Sequence, residues 1–416
     1  MGTSFSYAIK AVVSFMRGDY ASLVFCFFGL SQRKSPSTAL SCGKVARREN
    51  DKRIDCITMP SRAEHEETLR RSLEAKGFPR RNKYLSLPPK LMITLLPALI
   101  ILISLFIMEL AYFKIADHYN IIDKPNARSS HQTITLRGGG IIFSLAGLIF
   151  FFLSGFEYPY FITGLLAIAI ISFLDDILTL NNKIRLSIHL ISVLLMFYQW
   201  QLFTHPWYWL IVALVFVIGT INAYNFMDGI NGITGSYSLL AIGTLYYINE
   251  KVIHFTSSDF FVVIGLSLIV FNFFNFRKKA KCFAGDVGSV SIAFVIVFLI
   301  GQLILETGNF AYILLLLFYG LDTATTVFFR KIRKENIFEA HRSHFYQYLA
   351  NQKKTNHLLV SSLYFIVQLF INTVLILFLK ESWIYAVVFT AIVTLVFLLL
   401  RFAVEGRKYL LKPHSN

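Results

Sequence analysis

Charge is what this chain has least of. Only 15% of its 416 residues are Asp, Glu, Lys or Arg, where a soluble protein of this size carries about a quarter. With 55% hydrophobic residues and a mean hydropathy of +0.58, that shortage excludes an ordinary water-soluble globule. Cysteine is nearly absent: Cys26, Cys42, Cys56 and Cys282 show no metal-ligand spacing. Cys282 reads as a small packing residue. Acidic residues are outnumbered, 24 against 40 Lys and Arg, for a net charge of +16. The surplus requires no nucleic acid, because its placement follows a membrane rule.

What the chain does have is apolar runs near 20 residues, the length that crosses a bilayer. Eleven spans are expected, at about 91–113, 138–154, 159–174, 184–203, 206–222, 232–248, 258–276, 288–304, 309–329, 357–379 and 382–401. The fold class is therefore all-α: a polytopic membrane helix bundle with about 11 transmembrane helices. Alternate connections and the C-terminal tail hold 21 Lys and Arg, while the opposite set holds only Lys251 and Lys380. The positive-inside rule makes the basic set cytoplasmic. Trp200, Trp207, Trp209 and Trp383 all fall at outer span ends, where amphipathic rings favour the interface. Anionic membrane lipid and an anionic substrate are the natural partners.

Three segments follow. Residues 91–404 form the transmembrane domain and 405–416 a cytoplasmic tail. Residues 1–90 differ from the rest, with 17 Lys and Arg against 8 Asp and Glu and no steady periodicity. They read as a disordered extension, or as an over-extended start with the true one at Met92.

Five polar knots sit between spans, all on the inner face. The first holds Lys124, Arg128 and Arg137, the last followed by Gly138-Gly139-Gly140. Three glycines opening a helix either expose N–H groups to an anion or permit tight packing, with the basic residues anchoring at headgroups. The second is Asp175-Asp176, leading to Lys183 and Arg185. Adjacent carboxylates at a span end need a cation or base to relieve them. In the third, Asn222, Asn225 and Asp228 recur every three residues, so a helical turn stacks them on one face. Gly229, Asn231 and Gly232 follow. The fourth, Gly285-Asp286-Val287-Gly288-Ser289, opens an apolar helix and suits a carboxylate that holds a divalent cation. A plain N-cap is the alternative for Asp286. The fifth is His341-Arg342-Ser343-His344. His-x-x-His without a third ligand does not make a zinc site, and imidazoles with a guanidinium suit phosphate oxygens. Glu109, His189 and Asp322 lie inside spans toward the same face, where ionisable groups are functional suspects. Together they indicate a one-sided cytoplasmic cleft.

In this order, Asp123-x-Pro125 through Arg137-x-Gly139-Gly140, Asp175-Asp176 with Lys183 and Arg185, Asn222-x-x-Asn225-x-x-Asp228-Gly229, Gly285-Asp286-x-Gly288-Ser289 and the His-rich loop resemble the polyprenyl-phosphate N-acetylhexosamine-1-phosphate transferase family, glycosyltransferase family 4. The resemblance covers roughly residues 92–400. It implies Mg2+ dependence, with Mn2+ as a substitute, a UDP-N-acetylhexosamine donor, a polyprenyl phosphate acceptor and, at family level, a homodimer. It also implies Asn225 and Asp286 as metal ligands, Asp228 and Asn231 at the nucleoside end, Lys183 at the diphosphate, and His341, Arg342 and His344 as a phosphate and sugar clamp. Asp175, Asp176 and Asp228 are the catalytic candidates. Lys124, Arg128, Arg137 and Asn222 join the substrate-binding set. Two departures stand out: Thr133-Ile134-Thr135-Leu136 lacks the prolines that stiffen the first loop in relatives, and the last loop reads His-Arg-Ser-His in place of a tighter histidine cluster.

A transporter or flippase is the competing class. It would place polar groups at mid-membrane, reachable from both sides, often in internal repeats, and the sequence shows neither.

Overall fold

Apolar residues around the whole circumference, rather than on one stripe, mark helices buried in a bundle or in lipid, and most of the helices among the described residues are of this kind. The computed structural model describes residues 93–123, 135–178, 180–336, 341–379 and 382–412. The reading of residues 1–90 and of a start at Met92 lies outside these. Eleven principal helices follow in order: α1 Leu95–His118, α2 Ile141–Leu153, α3 Pro159–Leu178, α4 Asn182–Gln199, α5 Trp207–Met227, α6 Ile233–Lys251, α7 Ser258–Asn275, α8 Gly285–Thr307, α9 Leu317–Ile332, α10 His357–Val374 and α11 Trp383–Glu405. Each coincides with one expected span. Among the described residues eight helices are long and apolar enough to cross a membrane. The other three principal helices are α2, only 13 residues long, and α4 and α6, which carry more polar residues. The protein is an all-α polytopic membrane protein.

Helix α8 is the axis. Buried residues make up 89% of its apolar window, against 11% for α11 at the periphery. It packs on α2, α3, α5 and α6. Gly140 before α2 and Gly288 in α8 meet backbone to backbone, and a Cβ on either would overlap the other. Stacked rings fill the far end, with Phe161 on Phe298 at 3.9 Å between centroids. Trp200 belongs to this core: its ring lies against Gly301 and it is 9% exposed. Trp207 and Trp383 are exposed as interfacial rings should be; Trp200 is not an interface residue.

A 3-10 turn, Phe310–Leu316, precedes α9. Backbone groups loosened there must find partners inside the protein. Gln368 of α10 supplies them, donating to the Leu314 carbonyl (2.9 Å) and accepting from the Phe318 N–H (2.9 Å). Two further details shape the end of the bundle where α1 and α11 finish. A two-residue ribbon pairs β1 Ile122–Asp123 with β2 Thr135–Leu136, and Leu136 bridges to Cys282. After α11, a short helix Arg407–Leu411 turns back so that Arg333 donates to the Leu410 carbonyl at 3.2 Å. The tail is thus docked through that turn.

Candidate active site

The C-terminus of α3, the N-terminus of α4, the C-terminus of α5 and the N-terminus of α8 meet at one end of the bundle. Asp175 and Asp176 are neighbours in α3, and successive helical residues point about 100° apart. They therefore serve different partners. Asp176, fully buried, accepts from the N–H groups of Asp286 and Val287 (3.1 Å each) and caps the start of α8. Arg137 Nε lies 2.8 Å from the same carboxylate. Gly285 makes this approach tolerable: its φ is +71°, and a Cβ there would sit 2.6 Å from Asp176 Oδ2. Asp175 accepts from the Leu180 N–H (2.8 Å) and from Arg185 Nη1 (2.6 Å).

Asp286 is the carboxylate held most loosely. Arg137 Nη2 is 3.4 Å and Arg185 Nη1 3.9 Å away, and its side chain is 23% exposed. Asn225 comes from the last turn of α5. Ser289 Oγ donates to its Oδ1 at 3.2 Å and to the Gly285 carbonyl at 3.1 Å. Asn225 and Asp286 thus converge, and both line one cavity of about 230 Å3 with Arg185, Asn222 and apolar groups of α4, α5 and α8. Three carboxylates (Asp175, Asp176, Asp286) face two guanidiniums (Arg137, Arg185), so the cluster is one positive charge short.

A hard cation fits that deficit. Asp286 offers a partly open carboxylate and Asn225 an amide oxygen, the oxygen donors such ions prefer. Among the described residues no group of three His, Cys, Asp or Glu comes together as a metal cluster. Magnesium suits so few protein ligands, because it keeps waters and takes substrate phosphate oxygens.

Asp228 caps α5 one turn beyond Asn225. Burial pushes its carboxyl up to about 6, with the charge of Asp286 adding to the rise. Asn231 ties the following turn down, donating to the carbonyls of Arg277 (2.9 Å) and Lys278 (3.2 Å).

The His-rich loop lies on the other flank of α5. Tyr346 OH donates to the Phe226 carbonyl at 2.9 Å, and Phe226 touches both His341 and His344 (centroids 6.1 and 6.2 Å). His341 stacks on His344 at 4.9 Å, and its Nδ1 is 3.1 Å from Ser343 Oγ. Burial, helped by His344 and Arg330, holds the His341 imidazole down at about 3, so the ring is neutral near pH 7. His344 is 1% exposed, with Nδ1 3.6 Å from Asp322 Oδ1. Asp322, fully buried, also accepts from the N–H groups of Phe345 (2.8 Å) and Tyr346 (3.3 Å) and from Tyr364 OH (2.6 Å). Arg401 of α11 donates to Thr325 Oγ1, Thr326 Oγ1 and the Ser343 carbonyl (2.8, 2.9 and 3.1 Å) and pairs with Glu405. An ionic strut inside the bundle thus holds this loop.

Arg137, Asp175, Asp176, Asn222, Asn225 and Asp286 are therefore brought to one place. Asp228 sits one turn away, and His341 and His344 across α5. Arg342 is half-buried in the same loop. Lys183 is exposed on the first turn of α4 and is not one of the residues lining the cavity. Lys124 and Arg128 lie outside the described residues. The N–H groups of Gly139 and Gly140 are donated to the Phe283 and Ala284 carbonyls (2.9 and 3.1 Å), so for these two glycines tight packing replaces the anion seat. Sequence reasoning passed over Arg185 and Ser289 as site residues, although each stands in a quoted motif.

Known proteins resemble this chain over part of its length. Residues 158–304 match the family described as Glycosyl transferase family 4. Over 232 residues the chain is 30% identical to the undecaprenyl-phosphate alpha-N-acetylglucosaminyl 1-phosphate transferase of Salmonella typhi, covering 50% of this chain and 62% of that protein. It is 32% identical over 174 residues to the phospho-N-acetylmuramoyl-pentapeptide-transferase of Thermotoga neapolitana, covering 37% and 56%. Against the Escherichia coli K12 undecaprenyl-phosphate enzyme the figures are 27% over 224 residues, 48% and 60%. The matches span about three fifths of these relatives' length.

Proposed function

We propose that this chain, which belongs to glycosyl transferase family 4 through residues 158–304, transfers an N-acetylhexosamine 1-phosphate from a UDP-sugar to a polyprenyl phosphate and releases UMP. GlcNAc-1-phosphate or a related acetamido sugar is the group moved. The product starts a lipid-linked cell-surface polysaccharide, and the site faces the cytoplasm from a multi-pass position in the cytoplasmic membrane. The observation that carries the reading is the cavity where Asp286 and Asn225 meet beside Arg185 and an apolar wall.

The acceptor is a phosphate monoester, already largely dianionic at neutral pH because its second pKa is near 6. One of its oxygens forms a bond to the sugar-bearing phosphorus, and the bridging P–O bond to UMP breaks. No proton need be removed from the nucleophile. The barrier lies in bringing one anion onto another in line, a task of positioning and charge stabilisation. Mg2+, when bound by Asp286 and Asn225, supplies charge neutralisation at the diphosphate. Arg185 and Arg137 bring positive charge beside it. Asp175 holds Arg185 in place and Asp176 holds both Arg137 and the start of α8. His341, as a neutral ring, donates a hydrogen bond without adding charge.

The test incubates the purified protein with polyprenyl phosphate, Mg2+ and a panel of UDP-sugars, and measures UMP. Release with a UDP-N-acetylhexosamine, dependent on the lipid phosphate, is expected. Absence of UMP with every sugar would refute the reading.

A further inference from the structure

The cavity wall is layered. Its first layer, at the bundle end, contains Arg185, Asn225 and Asp286. About one helical turn deeper on each helix, roughly 5–6 Å by helix rise, come His189 on α4, Asn222 on α5 and Val290 on α8, with Ser172 of α3 one turn deeper than Asp176. Deeper still the lining is apolar: Val193 and Ile218. In that second layer two polar atoms are buried and have no hydrogen-bond partner among the described residues, His189 Nε2 and Ser172 Oγ. Their residues stand on different helices and both line the same cavity. A buried polar group left unpaired costs about 1–3 kcal/mol, so two such groups in one cavity call for a ligand. Asn222 does not fill that role as a donor, because its Nδ2 already donates to the Ile218 carbonyl at 2.9 Å.

The gradient identifies the ligand. A nucleotide sugar is polar along its whole length and gains nothing from an apolar inner wall. A phosphate monoester on a long hydrocarbon chain matches the polar-to-apolar order. The membrane side supports this, since α4 and α5 carry outward-facing apolar residues, Leu194 at 41% and Val215 at 69% exposure.

We propose that Ser172 and His189 form a two-point subsite for the head of the lipid acceptor. The serine hydroxyl and the imidazole Nε2–H donate to phosphate oxygens one turn inside the charged layer and set the depth at which the chain enters. This rests on the transferase reading, and it makes the pair specificity-determining for a lipid phosphate over the matching alcohol. No bond is made or broken on either side chain.

The test compares Ser172→Ala, His189→Phe and His189→Gln with the unaltered protein in detergent. A short-chain polyprenyl phosphate and the matching polyprenol serve as probes for binding. Acceptor and UDP-sugar KM are measured alongside. Ser172→Ala and His189→Phe should each weaken lipid-phosphate binding and raise acceptor KM about tenfold, close to 1.4 kcal/mol. Polyprenol binding and the UDP-sugar KM should stay within about twofold, and His189→Gln, which keeps an N–H donor, should recover most of the loss. Unchanged phosphate affinity in both removal variants overturns the subsite, as does an equal loss for the alcohol. If the variants lose lipid-phosphate binding as described but the unaltered protein releases no UMP, the subsite stands and the transferase reading fails. An active protein whose variants keep the normal acceptor KM refutes the subsite alone.

Discussion

Two ionic clusters share one end of this bundle and are built in opposite ways. Around Asp322 every charge is sealed. Asp322 and Glu405 side chains are 0% exposed, Arg401 is 1% and His344 2%, and backbone N–H groups, hydroxyls and a guanidinium surround the carboxylates at hydrogen-bond distance. Around Asp286 the pairing is incomplete. Its arginine contacts are 3.4 and 3.9 Å, both guanidiniums are 36% exposed, and three carboxylates share two cations. A buried charge with all its partners is a structural element, and removing one partner is far more damaging than the pair was stabilising. A charge left short of partners beside a cavity is a binding element. On the proposed function, the difference separates residues that hold the site from residues that act in it.

The contrast is broken most severely by exchanging the roles. Asp322→Ala should leave the Phe345 and Tyr346 N–H groups and Tyr364 OH facing an uncompensated interior, costing on the order of 3–5 kcal/mol. Thermal unfolding in detergent should then show loss of the folded protein. Asp286→Asn should leave unfolding unchanged while turnover drops on the order of 10^2–10^3-fold, the scale for removing one preorganised electrostatic group. Normal turnover of Asp286→Asn with added Mg2+ would end the metal assignment. Asp176→Asn falls between these. Its amide cannot present two acceptor oxygens to α8 and Arg137 together, so both stability, by about 1–3 kcal/mol, and turnover should decline. A variant that lost turnover with no change in unfolding would move Asp176 from the holding class to the acting class.

How much of this was readable beforehand follows from the range of each signal. All eleven spans coincide with helices because a run of apolar residues declares a span locally. The convergence of Asn225 and Asp286 was legible as well: both end or begin spans whose boundaries the topology puts on one face. Trp200 was misplaced because a span end predicts depth and says nothing about which neighbour covers the ring, here Gly301. The separate duties of Asp175 and Asp176 could not be read, since adjacency in sequence hides the 100° rotation that aims one at Arg185 and the other at α8. The strut was hidden for another reason. Asp322 and Arg401 meet through Thr325, Thr326 and Ser343 across two helices and a loop, and nothing local in either segment marks the other.

The smallest expected effect sharpens the boundary between the two clusters, because Asp228 belongs to neither. It is half-buried at the end of α5, and burial raises its carboxyl to about 6. A raised carboxyl means that the folded protein favours the protonated form. The stability this provides is complete below the ordinary carboxylate range near 4 and is lost as pH rises through about 6. If the ionised form takes part in substrate binding or transfer, activity must run the other way and climb between about pH 5 and 7. Opposite slopes of stability and of kcat/KM over that window, both abolished by Asp228→Asn, are the expected result. The size is a few-fold in rate across the window, with donor and acceptor saturating in separate titrations. A kcat/KM profile that keeps its rise in Asp228→Asn would assign the limb to the acceptor, whose own phosphate ionises near 6, and would place Asp228 with the holding residues.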